Sequence, residues 1–319
     1  MIKLKKLTAM ALSTVMAFGL LAGCGDSAAS SAPAETAAAT EAPAAETAAP
    51  AAAGSAAETE TTAAADPASY GSDVQAIIER GVLKVGVKSD VLGFGYMDPL
   101  TGEYEGMEID LAKKLADFLG VDVEFTTVTA ATRTELLDSG DIDCVMATFT
   151  ITDERKQSWD FTTPYYTDHV SVLVKDASNI KTLEDLKDKT VGVSSGSTSA
   201  KSLVKAMIEN SVITGDGFNE ESFDPATWTE GVSFKQYDDY PSISTALEAD
   251  EVDAFCVDKS ILAVYKTAGR SYIDAEFSPQ EYGIATTKGS GFSKLCEDEV
   301  STWLSDGTID GLIAQYNLG

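Results

Sequence analysis

Two rhythms of apolar residues alternate along most of the chain. "VLKVGV" (82–87) is almost unbroken in β-branched and apolar residues and predicts a buried strand. "GMEIDLAKKLADFLG" (106–120) places Ile109, Leu111, Ala112, Leu115 and Leu119 on one helical face, and Gly120 supplies a stop. "VDVEFTTV" (121–128) reads as the next strand, and "TRTELLDSG" (132–140) as a short helix with Thr132 and Glu135 forming a capping box. "DIDCVMATFT" (141–150), "VSVLVK" (170–175), "KTVGVSS" (189–195) and "EVDAFCVD" (251–258) predict further buried strands. "STSAKSLVKAMIEN" (197–210) predicts a helix with Leu203, Met207 and Ile208 on its apolar face. Strands separated by helices predict parallel sheets in an α/β fold.

The first 70 residues follow neither rhythm. Lys3, Lys5 and Lys6 precede an apolar run from Leu7 to Leu21, then Gly23-Cys24. A basic start, a short apolar core and small residues at the cut describe a secretory signal peptide, residues 1–23. "LAGC" has the form of a bacterial lipobox, in which Cys24 becomes the first residue and carries a lipid. Residues 24–70 are rich in Ala, Thr, Glu and Pro, with no Lys or Arg from Leu7 to Glu79. That composition lacks the large apolar surface needed to offset ordering, which predicts a disordered tether. The long acidic tether suggests a Gram-positive host.

Composition narrows the partners. A formal charge of −28 argues against nucleic acid, whose phosphates require a basic footprint. It also argues against basic docking on anionic lipid, leaving the lipid on Cys24 as the membrane contact. Three cysteines remain beyond Cys24: Cys144, Cys256 and Cys296. They are odd in number, without C-x-x-C spacing, and two sit in strand-like runs, so buried free thiols are expected. His169 is the single histidine, and no cluster has zinc-site spacing; no metal and no cofactor are expected.

Ligands of open α/β sheets sit beyond the carboxyl ends of the strands. Those positions here hold Lys88, then Thr148, Thr150 and Arg155, then Gly196-Ser197-Thr198, then Asp258. Cations, hydroxyls, backbone donors and one carboxylate complement a zwitterion. "GVSSG" (192–196) also matches a hydrolase nucleophile elbow, but its triad order requires a histidine after Ser194, and His169 precedes it. The alternative is an anion site: Gly196-Ser197-Thr198 opens a helix whose free N–H groups suit a carboxylate. Ser197 or Thr198 capping that helix is the simpler use of the same residues.

"LKVGVKSDVLGFGYMDPLTGEYEGMEIDLAKKLADFLGVDVEF", "FTITDERKQSWDFTTPYY", "IKTLEDLKDKTVGVSSGST", "EVDAFCVDKS", "PQEYGIATTKG" and "LSDGTIDGLIAQYNLG" resemble the family 3 solute-binding proteins of amino-acid ABC importers. The likeness spans residues 80–319. "GVKSDVLGFGYMDPLTG" and "DDYPS" most resemble the aspartate/glutamate-binding branch. The resemblance implies a two-lobed Venus-flytrap fold, each lobe a mixed, mostly parallel sheet flanked by helices. Lobe 1 is expected at 71–167 and 279–319, and lobe 2 at 168–278. Arg155 matches the clamp for the ligand α-carboxylate, with Ser197 and Thr198 opposite. Asp258 matches the partner of the α-ammonium, and Thr148 and Thr150 the strand-end positions that also meet the α groups. Lys88 and Arg133 stand where this branch holds the ligand side chain, with Tyr240 and Tyr282 as further candidates. Phe94 is a candidate for the aromatic contact on the ligand. Arg133 and Arg155 each open a helix, where the dipole disfavours a cation; facing an anion would account for both. The expected protein is a non-enzymatic, monomeric, lipid-anchored receptor outside the cell membrane. It captures aspartate or glutamate and delivers it to an ABC permease with its cytoplasmic ATPase. A binder of another polar amino acid such as glutamine, and a cyclohexadienyl-dehydratase-like enzyme with Asp258 as acid or base, are the alternatives. The acidic stretch 210–231 is expected to be a surface excursion of the second lobe.

Overall fold

The computed structural model describes residues 66–319. The expected signal peptide, the expected lipidation site at Cys24 and the expected tether as far as residue 65 lie outside the described residues. The folded part begins earlier than Gly71. Pro67–Ser69 form a 3₁₀ turn capped by Asp66, and the Tyr70 hydroxyl donates to Asp298 at 2.9 Å.

The chain then runs α1 (Ser72–Arg80), β1 (Val82–Val87), and the short strands β2 (Asp90–Val91), β3 (Gly95–Met97) and β4 (Tyr104–Glu105). Next come α2 (Met107–Leu119), β5 (Asp122–Thr127), α3 (Arg133–Ser139), β6 (Cys144–Met146), α4 (Arg155–Ser158) and β7 (Trp159–Phe161). The long strand β8 (Tyr166–Lys175) leads to β9 (Lys189–Ser194), α5 (Ser199–Glu209), β10 (Val232–Tyr237), α6 (Tyr240–Glu248) and β11 (Ala254–Asp258). After α7 (Lys259–Leu262) and β12 (Arg270–Tyr272), β13 (Phe277–Tyr282) brings the chain back to β14 (Ala285–Thr287), α8 (Gly291–Ser305) and α9 (Thr308–Gln315).

Two principal sheets result. One has the order β5-β1-β6-β14-β7, the other β10-β9-β11-β8-β12 with β13 also on β8. Within each, the β-α-β units pair in parallel, as the alternation of strands and helices requires: β1 with β5 and β6, β9 with β10 and β11. The remaining strands make each sheet mixed, as the resemblance implies. β8 is antiparallel to β11, β12 and β13, and β14 to β6 and β7. The reason is the route of the chain: β8 carries it out of the first sheet and β13 carries it back alongside, so they run in opposite directions. In that pair Gln280 faces Asp168, and Tyr282 faces Tyr166. A bulge between Phe277 and Pro279 puts Ser278 at φ 49°, a left-handed backbone at the return crossing.

Apolar stripes fill the cores as their spacing implies; Ile109, Leu111, Ala112, Leu115 and Leu119 of α2 are all buried. Two local expectations need correction. The capping box at Thr132 does not form: Thr132 is already helical, and its hydroxyl accepts from the Thr129 N–H at 3.0 Å. Residues 210–231 lack helix or strand but are more than a surface excursion, because Ile213, Phe218, Phe223 and Trp228 pack on the second lobe's core. Cys144, Cys256 and Cys296 are free and buried. No helix among the described residues is long and apolar enough to cross a membrane.

Candidate functional site

The strand-end residues gather where the two sheets meet. Arg155 opens α4, its N–H donating to the Thr152 hydroxyl at 3.1 Å. Its guanidinium donates to the Thr150 carbonyl at 2.7 Å and reaches the second lobe, donating to the Gly196 carbonyl at 3.1 Å. Arg133 opens α3 and is 3% exposed. It donates to the Ala147 carbonyl at 2.8 Å, while its Nε has no partner. Phe149 lies against both arginines, its ring centre 3.9 Å from Cζ of Arg133 and 4.5 Å from Cζ of Arg155. Burial pushes both guanidinium pKa values down, that of Arg155 to about 9, which leaves it a cation at neutral pH.

The second lobe supplies hydroxyls and a carboxylate. Gly196 sits at φ 73° against the first lobe; a Cβ there would lie 2.7 Å from the Ala130 carbonyl oxygen. Neither Ser197 nor Thr198 caps α5. Ser197 donates back to the Ser194 carbonyl at 2.7 Å, and Thr198 donates to Gln280 Oε1 at 2.7 Å. The same oxygen accepts from the Thr150 hydroxyl at 2.9 Å, so one side chain on a crossing strand joins hydroxyls of both lobes. Asp258, at the end of β11, accepts from the Tyr282 hydroxyl at 2.5 Å. Burial, and then the nearby Asp168, raise its carboxyl to about 7. Asp168 is itself held by the N–H and hydroxyl of Ser260.

Lys88 is 1% exposed. Its ammonium lies 3.2 Å from Asp90 as an ion pair and 4.6 Å above the ring of Tyr240. Burial lowers its pKa and Asp90 opposes the shift. Glu108, in the first turn of α2, has no exposed surface. Its Oε1 accepts from the Thr148 N–H at 2.6 Å and the Tyr165 hydroxyl at 2.5 Å, and its Oε2 has no partner. Burial raises its carboxyl to about 7 against the pull of these donors and of Arg133 and Lys88. Thr148 is held at φ 43°, a costly conformation for a β-branched residue. Glu108 holds its N–H, and Arg133 lies 3.4 Å from its carbonyl oxygen.

Nine of the ten sequence candidates thus form one connected cluster; Ser197 borders it but turns its hydroxyl into its own loop. Phe94 is buried and packs edge-on against Tyr166 and Tyr282. Sequence reasoning missed Glu108, Phe149, Gln280, Asp90 and Tyr165. The one signal for Glu108 was a carboxylate beside an otherwise apolar helical face. Ser194 is buried with its hydroxyl unpartnered, and His169 is exposed on β8, so no base addresses the serine. No group of three or more metal-ligating side chains occurs among the described residues. A recess of about 1070 Å³ beside β8, lined by Leu92, Tyr166, His169, Val264 and Leu304 among others, contains none of the ten candidates.

Two α/β lobes joined by a pair of crossing strands, with cations, hydroxyls and a carboxylate converging between them, define a binding protein for a small polar solute. The chain belongs to family 3 of the bacterial extracellular solute-binding proteins, whose pattern it matches over residues 83–318. It is similar to the ABC transporter glutamine-binding protein GlnH of Bacillus subtilis (strain 168), 33% identical over 259 residues, covering 79% of this chain and 87% of that protein. The glutamate-binding protein GluB of Corynebacterium efficiens is 31% identical over 235 residues, 68% of this chain and 72% of the relative. The solved structure of an ancestral arginine-binding protein bound to arginine superposes with a TM-score of 0.62 at 34% identity, covering 74% of this chain and 98% of that one.

Proposed function

We propose that this protein captures an acidic L-amino acid, aspartate or glutamate, between its lobes and delivers it to an ABC importer. Arg155 and the Thr198 loop take the α-carboxylate, and Asp258, steered by Tyr282, takes the α-ammonium. Thr150 and Thr148 flank the α groups. Lys88 and Arg133 face the side chain, with Tyr240 as the wall behind Lys88. The observation that carries the reading is the burial of two further cations, 1% and 3% exposed, beside a set that already answers both α groups. Both side chains can only donate hydrogen bonds, Nε of Arg133 has no partner, and an acidic side chain supplies acceptors alone. The receptor works as a monomer, tied to the outer face of the cell membrane through a lipid on Cys24.

A neutral polar ligand such as glutamine is the second reading. Asp90 stands 3.2 Å from Lys88, and Glu108 acts electrostatically on Arg133, so each cation already has a carboxylate near it. A relative named for glutamine fits the same view.

Calorimetric titration with aspartate, glutamate, asparagine and glutamine decides between them. The acid should bind at least about a hundredfold more tightly than its amide, equivalent to about 2–3 kcal/mol. An amide NH₂ would meet two cations that can only donate. Equal affinity for glutamate and glutamine would transfer the assignment to a neutral ligand.

A further inference from the structure

The charges of the site nearly cancel. Three cations, Lys88, Arg133 and Arg155, face three carboxylates, Asp90, Glu108 and Asp258. A fourth carboxylate, Asp168, stands behind Asp258 near the Tyr282 hydroxyl. The α-carboxylate and α-ammonium of any amino acid add no net charge. An acidic side chain adds one negative charge to a buried set that has no cation to spare, which is costly in a medium that screens poorly.

Of the four carboxyls, Glu108 is the one placed to absorb that charge. Asp90 is in ion-pair contact with Lys88, Asp168 is held by Ser260, and Asp258 is needed for the ammonium. Glu108 is wholly buried, receives both its hydrogen bonds on Oε1, and has Oε2 without a partner. The groups that face it come from separate elements. They are Lys88 after β1, Arg133 on α3, the Thr148 N–H after β6, and the Tyr165 hydroxyl before β8. Cys144 of β6 lies near Tyr165. Both donors on Oε1 remain satisfied if Oε2 carries a proton, because a neutral carboxyl keeps its carbonyl oxygen as an acceptor.

We propose that capture of an acidic side chain is coupled to uptake of one proton from solvent by Glu108, so that protonation of this residue sets the preference for acid over amide. This deepens the acidic-ligand reading above and rests on it. Burial raises the carboxyl of Glu108 to about 7 before ligand arrives, so at neutral pH it is partly protonated and the coupling is readable. The incoming carboxylate raises that value further. Between pH 8 and pH 6 the affinity ratio of glutamate to glutamine should therefore rise by up to about tenfold.

The test is calorimetry of the full chain at pH 7 in buffers of different ionisation enthalpy, with glutamate and with glutamine. Asp258 gives up a proton to either ligand as it meets the ammonium, so the difference between the two ligands isolates the side-chain effect. Glutamate should take up a measurable fraction of a proton more than glutamine. Glu108→Gln keeps an acceptor for Thr148 and Tyr165 and imitates the protonated acid. It should bring the difference to zero and make the ratio independent of pH. If that variant folds poorly, the parent's proton count and pH-dependent ratio carry the test alone. No difference in the parent, or one that survives in Glu108→Gln, overturns the coupling while acidic-ligand binding stands. Failure to bind either acid overturns both.

Discussion

At the residue scale the site is built from groups whose charge is tolerable only in company. Arg155 illustrates it. The residue opens a helix, where the dipole offers a cation nothing, and it is held by two backbone carbonyls from different lobes. Those carbonyls orient the guanidinium without neutralising it, leaving its charge for an anion. Arg155→Ala should therefore almost abolish binding of any amino acid. The expected loss is about 3–5 kcal/mol, because the α-carboxylate would be enclosed without its partner; isothermal titration reads it directly. Arg155 was legible in the sequence as a cation after a strand in a recognisable motif. Glu108 was not, because a carboxylate in the first turn of a helix is the ordinary response to the dipole and needs no further role. Only the burial of that turn under Thr148 and Tyr165 shows it to be unusual. Gln280 escaped for a related reason: its partners, Thr150 and Thr198, are 130 and 82 residues away in sequence.

At the element scale, periodicity located strands and helices well but not their directions. The span of α2 follows from its apolar face and from Gly120, and β1 from an apolar run led by three valines. The antiparallel β8 and β14 have the same buried look as their parallel neighbours, since both faces of each sheet are covered. What turns them is the double crossing, a property of the path rather than of any segment. The loop before α5 shows how an element serves function. Its candidate caps do not cap: Ser197 turns back to the Ser194 carbonyl and Thr198 is spent on Gln280, while Gly196 allows close approach to the other lobe. Gly196→Ala should weaken ligand binding by about tenfold or more, since its Cβ would meet Ala130 only when the lobes come together. Gly217→Ala is the control, with a similar φ of 83° and open space around it. It should cost comparable backbone strain, about 1 kcal/mol, and leave affinity unchanged.

For the whole molecule, charge operates at two levels that titrate apart. The chain carries −28, from 51 Asp and Glu against 23 Lys and Arg. Inside, Glu108 and Asp258 have carboxyls raised to about 7 in the folded, ligand-free protein. In the unfolded chain both return to about 4. Between these values the native state binds protons that the unfolded state releases, so stability falls as pH rises. The contribution of the pair is fully present below about pH 4 and lost as pH passes through about 7, amounting to a few kcal/mol per group at most. Thermal denaturation of the ligand-free protein should therefore give a Tm that climbs by about 5 °C or more from pH 8 to pH 5. The double variant Glu108→Gln/Asp258→Asn should flatten that slope, since its buried groups no longer titrate while its surface is unchanged. Saturating glutamine should flatten it in part. The α-ammonium holds Asp258 ionised and removes its share of the proton binding, while Glu108 continues to titrate beneath Thr148. A parent Tm that is constant or falling from pH 8 to pH 5 would mean that both carboxylates stay charged inside the protein, balanced by Lys88, Arg133 and Arg155 alone.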